Sequence, residues 1–147
     1  AAHGYPLPRL ACAALDGYLK GFIDLVFEDA GRYHILDWKS NHLGFSAGDY
    51  GQRRLASAMA EHGYHLQHLI YSVALQRYLR RRIADYDYEC HFGGVYYLFV
   101  RGVRPAWYET TASGQRMACG VYRHRPSRAT LDAFDALLTP TSPTIAE

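Results

Sequence analysis

Three residues in the first third of the chain could do chemistry together: Asp24, Asp37 and Lys39. Asp24 sits in the apolar run Phe22-Ile23-Asp24-Leu25-Val26-Phe27, and the other two sit in Leu36-Asp37-Trp38-Lys39. A turn sequence, Glu28-Asp29-Ala30-Gly31, separates the runs. If Ala30 and Gly31 form a two-residue hairpin turn, the register it sets puts Asp24 directly opposite Asp37. Facing residues of an antiparallel pair have Cβ atoms about 5 Å apart. Period-2 alternation puts Lys39 on the same face as Asp37. Two carboxylates so close repel unless they share a proton at a raised pKa or hold a hard cation such as Mg²⁺. Lys39 supplies one positive charge and leaves room for the ion. A divalent metal there lowers the pKa of bound water and polarises a phosphoryl oxygen. Lys39 is suited to orient that water or to stabilise charge developing on phosphorus. These parts suit phosphodiester hydrolysis. The plain alternative is a pair of aspartates that bond backbone amides or the lysine. An aspartate in an apolar strand is costly to bury without a partner, which favours a site.

The elements that must position these residues follow from local pattern. Tyr18 to Phe27 is rich in β-branched and aromatic residues and predicts a strand, with a second over Tyr33 to Lys39. Ser40 to Asp49 contains Asn41, Gly44 and Gly48 and reads as a loop. A helix is expected from about Tyr50 to Glu61, capped by Asp49 or Ser46, with a break at Gly63. The longest helix, about Tyr64 to Ile83, carries Leu66, Leu69, Ile70 and Val73 at helical spacing. Its arginines Arg77, Arg80, Arg81 and Arg82 suit the negative end of the helix dipole. Gly94 to Val100 reads as a strand buried on both faces. Gly120 to His124 predicts one more short strand, and Arg128 to Leu138 a final helix capped by Ser127. The order ββααββα indicates a mixed α/β fold.

Bulk properties set limits. The 147 residues suggest one domain over residues 1–147, and 49% hydrophobic content is enough for a core. The net charge of +2 permits an acidic partner without demanding one. A second basic group comprises Arg101, Arg104, Arg123, Arg125 and Arg128. Cys12, Cys90 and Cys119 form no CxxC pair, which argues against a disulfide framework or zinc knuckle and for a reduced, cytoplasmic setting. No apolar run approaches the roughly 20 residues of a membrane span, and no signal peptide opens the chain. The first residue is Ala1 rather than Met, and the chain is read as a piece of a longer protein.

The motifs together resemble the PD-(D/E)xK nuclease superfamily, and within it the RecB-type nuclease domains of exodeoxyribonuclease V. The likeness runs through Gly21 to Phe27 and Leu36 to Asn41, then Leu66-Gln67 to Tyr71 and Ala74 to Leu79. It continues in His91-Phe92-Gly93-Gly94-Val95-Tyr96-Tyr97-Leu98-Phe99-Val100-Arg101-Gly102. The resemblance implies a restriction-endonuclease-like core, a mixed central sheet flanked by helices. It implies that Asp24 and Asp37 are acidic ligands of Mg²⁺, that the Trp38 carbonyl is a third metal contact and that Lys39 is the catalytic lysine. Gln67 and Tyr71 match a helical motif beside the site that contacts DNA; their spacing puts both on one helix face. The family also uses a histidine ligand well upstream of the first aspartate. Only His3 precedes Asp24, at the wrong distance, and it is not assigned; the ligand is expected before residue 1. His34 is out of phase with Asp37.

The resemblance implies a DNA exonuclease module acting on single-stranded ends in double-strand-break repair and recombination. It also implies ATP-driven helicase domains upstream, RecC-like gamma and RecD-like alpha subunits as partners, and RecA as a further one. The chain has no GxxxxGK[ST] phosphate loop of its own. Two other readings stand beside it: a non-catalytic DNA-guiding or subunit-docking domain, and a stand-alone nuclease of the same superfamily. Intact Asp24, Asp37 and Lys39 argue against the first. The lack of an iron–sulfur cysteine set argues against a Cas4-like or AddB-like form of the second. His62, His65 and His68 read as solvated helix surface rather than a metal cluster. The arginines at 77 and 80–82 read as phosphate contacts, or as a solvated helix end or an intersubunit contact; some of the 13 tyrosines are suited to stack on unpaired bases, and most read as packing residues.

Overall fold

A computed structural model describes residues 20–138 of the chain. The hairpin forms as its turn chemistry demands. β1 (Leu25–Asp29) and β2 (Arg32–Lys39) are joined by Ala30 and Gly31, at φ 50° and 78°. Two consecutive positive φ angles match the right-handed twist of the flanking strands. The register is the expected one, with Asp29 opposite Arg32 and Leu25 opposite Leu36. The first strand is shorter than its composition suggests. It begins at Leu25, so Asp24 precedes it and is exposed. The cost of burying an aspartate in an apolar strand therefore does not apply to Asp24. Residues 18 and 19 of the expected strand lie outside the described residues.

After β2 the chain makes a 3-10 turn, Ala47–Tyr50, and then two helices, α1 (Gln52–Glu61) and α2 (Tyr64–Arg82). α1 starts two residues later than expected because Ser46 and Asp49 cap the 3-10 turn instead. The Asp49 carboxylate accepts from Ser46 N and Oγ at 2.8 and 2.7 Å. Gly63, at φ 66°, turns the chain between the helices. A short helix α3 (Tyr88–His91) leads into β3 (Phe92–Phe99). A small hairpin follows, β4 (Tyr108–Thr110) and β5 (Arg116–Ala118), then β6 (Val121–His124) and α4 (Arg128–Leu137). Ser127 caps α4 as expected, its Oγ accepting from Thr130 N at 3.0 Å. The β4–β5 hairpin and α3 have no counterpart in the sequence reading, because three- and four-residue elements leave no period to detect.

The main sheet runs β1-β2-β3-β6. β2 and β3 are parallel; the other two pairs are antiparallel. A parallel pair needs a long crossover, and α1 and α2 lie within that connection. α2 packs on β3, α1 and α4. Ile35, Val95, Tyr97 and Phe99, all fully buried, form the core with Leu55, Met59 and Leu79. Tyr96 and Leu98, on the other face of β3, are half-buried rather than buried.

α2 is more enclosed than its apolar stripe implies. His65 and His68 are buried, not solvated, and His68 Nε2 lies 3.2 Å from His124 Nδ1 on β6. Burial lowers the pKa of both. Two of the arginines of its last turns, Arg77 and Arg80, clamp α4. Arg77 Nε donates to Asp135 at 2.7 Å, and Arg80 pairs with Asp132 at 3.2 Å. Cys119 is buried and Cys90 exposed, both free. No described helix is long and apolar enough to cross a membrane.

Candidate active site

The end of β2 brings the candidate residues together. Alternation sends Asp37 and Lys39 to the face covered by α2, where they are 3% and 8% exposed. Lys39 Nζ lies 2.6 Å from Asp37 Oδ2. The ammonium also donates to Gln67 Oε1 on α2 at 2.9 Å. Two aromatic faces enclose it, Tyr64 at 3.9 Å and Tyr97 at 5.2 Å from the ring centroids. A carboxylate, an amide oxygen and two π faces thus surround the ammonium.

The hydrogen bonds continue in one direction along α2. Gln67 Nε2 donates to Tyr71 Oη at 3.1 Å, and the Tyr71 hydroxyl donates to the Phe22 carbonyl at 2.6 Å. The i,i+4 pair therefore connects Lys39 to the segment that carries Asp24. Gln67 and Tyr71 also line a cleft of about 300 Å³ with Lys20, Leu66 and Ile70.

Asp24 lies one residue beyond the end of the β1–β2 ladder. Its Oδ2 accepts from the main-chain N–H of Trp38 at 2.9 Å. The N–H and C=O of one strand residue leave on the same side, so the Trp38 carbonyl also leaves toward Asp24. β1 stops short of it, and β3 bonds the next residue instead, through Val100 N to Lys39 O at 3.0 Å. Asp24, Asp37 and Trp38 thus all lie at the open end of the hairpin. The Trp38 ring projects to the opposite face and is half-exposed.

Burial is the main cause that raises the Asp37 pKa. Lys39 opposes the shift by hydrogen bond and charge, and the like charge of Asp24 adds to it. The like charge of Asp24 is the least of these causes and desolvation the largest. Asp37 Oδ2 meets the Lys39 ammonium at 2.6 Å, and a carboxylate carries lone pairs for a further cation besides. The set available is two carboxylates and one carbonyl, all oxygen. That suits a hard ion such as Mg²⁺, which retains several waters rather than demanding a full protein cage. Among the described residues no group of three or more His, Cys, Asp or Glu gathers anywhere, this site included. His3 lies outside the described residues. His34 stays out of the site, buried on the other face and stacked on Phe27 at 5.0 Å.

Two residues here were not singled out by sequence. Tyr64 places its ring against Lys39 and donates its hydroxyl to Asn41 Oδ1 at 3.1 Å. It lies three residues before Gln67, so the helix-face argument that joined Gln67 to Tyr71 extends to it. Tyr97 is opposite Asp37 in the parallel register, and burial holds its phenol neutral and its pKa well above the usual range. Only the β2–β3 pairing reveals it.

Residues 5–139 match the sequence model of the PD-(D/E)XK nuclease superfamily. The chain is similar to the RecBCD enzyme subunit RecB of Escherichia coli, 48% identical over 130 residues, 88% of this chain and 10% of that protein. It is similar to RecB of Mycobacterium tuberculosis, 46% identical over 125 residues, 84% of the chain and 11% of the relative. RecB of Haemophilus influenzae is 39% identical over 137 residues, 93% of the chain and 10% of the relative. The chain thus spans about a tenth of the length of these relatives.

Proposed function

The chain belongs to the PD-(D/E)XK nuclease superfamily, and from that premise we propose that it is the metal-dependent exonuclease module of a RecBCD-type helicase–nuclease. The observation that carries this reading is the Asp37–Lys39 pair at 2.6 Å, held by Gln67 beside the Asp24 carboxylate. In this reading Asp24, Asp37 and the Trp38 carbonyl hold Mg²⁺. When bound, the ion activates water and offsets negative charge on the scissile phosphate. Lys39 places an ammonium where charge develops on phosphorus. Gln67 fixes the ammonium, and Tyr64 and Tyr97 exclude water around it. Tyr71 fixes the Phe22 carbonyl and so the position of Asp24.

Single-stranded DNA released by a helicase is the substrate that this reading favours. The names of the relatives place them in a RecBCD enzyme, and on that likeness gamma- and alpha-type subunits are the expected partners. RecA is a further candidate that rests on the family resemblance alone. The ATP requirement belongs to helicase domains outside this chain. The test is degradation of single-stranded DNA by the full-length protein with Mg²⁺, with and without Asp37→Ala. Cleavage should vanish in the variant while DNA binding persists. Equal cleavage by both forms would show that the site is misassigned. Binding without cleavage in either form would favour a DNA-guiding role.

A further inference from the structure

Beyond the carboxyl ends of the two parallel strands lies a second concavity that the Asp37–Lys39 pair does not occupy. β2 ends at Lys39 and β3 at Phe99, side by side in the parallel register. Crevices at that end of parallel strands are where such sheets commonly take ligands. This one is about 250 Å³ and is lined by His42, Phe45, Tyr50, Arg101, Arg104 and Trp107. It adjoins the site through the backbone, because Arg101 Nε donates to the carbonyl of Ser40, the residue after Lys39, at 2.9 Å.

Its chemistry is specific. Phe45 is 90% exposed, with the His42 ring against it at 4.7 Å. Trp107 carries the Arg104 guanidinium 4.8 Å from its ring centroid. Among the described residues neither Arg101 nor Arg104 has a carboxylate partner, in contrast to Arg77 and Arg80, which clamp α4. The nearby carboxylate of Asp49 is committed to Ser46 N and Oγ. An exposed phenyl face beside guanidinium groups that have no carboxylate partner among the described residues matches a ligand that joins a flat ring to an anion. Stacking on such faces is indifferent to base identity, and the guanidinium groups fit phosphate oxygens.

We propose that this pocket is a subsite for one unpaired nucleotide of single-stranded DNA. The base stacks on Phe45, beside the edge that Trp107 and Arg104 form, and Arg101 and Arg104 hold the adjoining phosphates. The strand is thereby registered at a fixed spacing from the Asp37–Lys39 pair. The inference deepens the proposed nuclease function and rests on it.

The test uses the full-length protein, chelator-treated for binding, and short single-stranded oligonucleotides. One series carries a single abasic nucleotide moved stepwise along the strand; another carries 2-aminopurine at each position. Phe45→Ala and Arg104→Ala should each weaken binding about tenfold, and Phe45→Trp should restore it. An abasic nucleotide at one position should cost the parent protein the same factor and cost Phe45→Ala nothing further. The 2-aminopurine at that position should be quenched by the parent and not by Phe45→Ala. With Mg²⁺, KM should rise while kcat changes by less than about twofold, the signature of lost uniform binding. Unchanged binding by both alanine variants overturns the subsite, as does an abasic penalty equal in parent and Phe45→Ala. Loss of subunit assembly with strand binding intact assigns the pocket to a protein contact and overturns it too. If these arms fail while Asp37-dependent cleavage persists, the subsite falls alone. If cleavage is absent, the nuclease reading falls, and the binding arms still decide the subsite.

Discussion

The Tyr71 hydroxyl donates to the main-chain carbonyl of Phe22 at 2.6 Å, two residues before Asp24. Through Gln67 the same hydroxyl is connected to Lys39. The two halves of the candidate site, the entry to β1 and the end of β2, are therefore braced by one face of α2. Asp24 is exposed and outside the ladder, so its position depends on this brace and on the Trp38 N–H.

Tyr71→Phe should loosen Asp24 without removing any proposed ligand. Partners that orient metal ligands typically contribute about 10- to 100-fold in metal affinity. We expect the Mg²⁺ concentration for half-maximal cleavage to rise by about tenfold on that scale. Thermal stability should fall by about 1 kcal/mol for the lost hydrogen bonds. A Mg²⁺ titration of cleavage checks the first effect and a urea melt the second.

Lys39→Ala should reduce kcat by about 10²- to 10³-fold, the usual cost of removing one preorganised charge-stabilising group. It also strands Asp37 in a buried position, where its charge has lost its partner, so Lys39→Met should behave alike. Strand binding measured without metal should change little in either variant. An unaltered kcat would remove Lys39 from the mechanism.

The buried histidines make the fold acid-sensitive. Burial, then the neighbouring His124 and His65, pushes the His68 pKa down from 6.5 to about 3. A depressed value means that folding favours the neutral ring. The stability it contributes is complete above pH 6.5 and is lost as pH falls from there toward about 3. His124 and His65 are lowered by burial as well and add to the same trend. Urea midpoints between pH 7 and pH 4 should fall steeply in the parent protein. In His68→Gln the slope should be shallower, whatever its starting stability.

α4 is fastened by a buried anchor and an exposed ionic clamp, which should respond differently to change. Leu131 is fully buried, and Leu131→Ala should cost about 2–5 kcal/mol. Asp132→Asn removes a charge partner of Arg80 and Arg128 at half-exposed pairs, keeps an amide oxygen to accept from the buried Gln76, and should cost no more than about 1 kcal/mol. Raising the salt concentration should erase the second loss and leave the first. Denaturation at low and high salt distinguishes them.

Much of the site was legible locally. The Ala30–Gly31 turn dictates the β1–β2 register, and alternation dictates that Asp37 and Lys39 share a face; both rules act within a few residues. The motif likeness then pointed to Gln67 and Tyr71, because their spacing fixes them on one face of a helix. The extent of β1 was not legible. Phe22 and Ile23 have strand-like side chains, but β2 offers Asp24 only a side-chain bond and no further ladder.

What the sequence alone determined was thus the turn, the alternation, the helix faces and the family signature, all set by short-range geometry. The tertiary structure decided which of those faces became interior. Parallel pairing of β2 with β3 places Tyr97 opposite Asp37 and encloses Lys39. The same packing sandwiches α2 between the sheet, α1 and α4, which buries His65 and His68 and turns Arg77 and Arg80 onto α4. It also leaves Arg101 and Arg104 beside Phe45 at the strand ends. These are contacts between residues far apart in the chain. No local period specifies them, because they depend on which surfaces the crossover brings together.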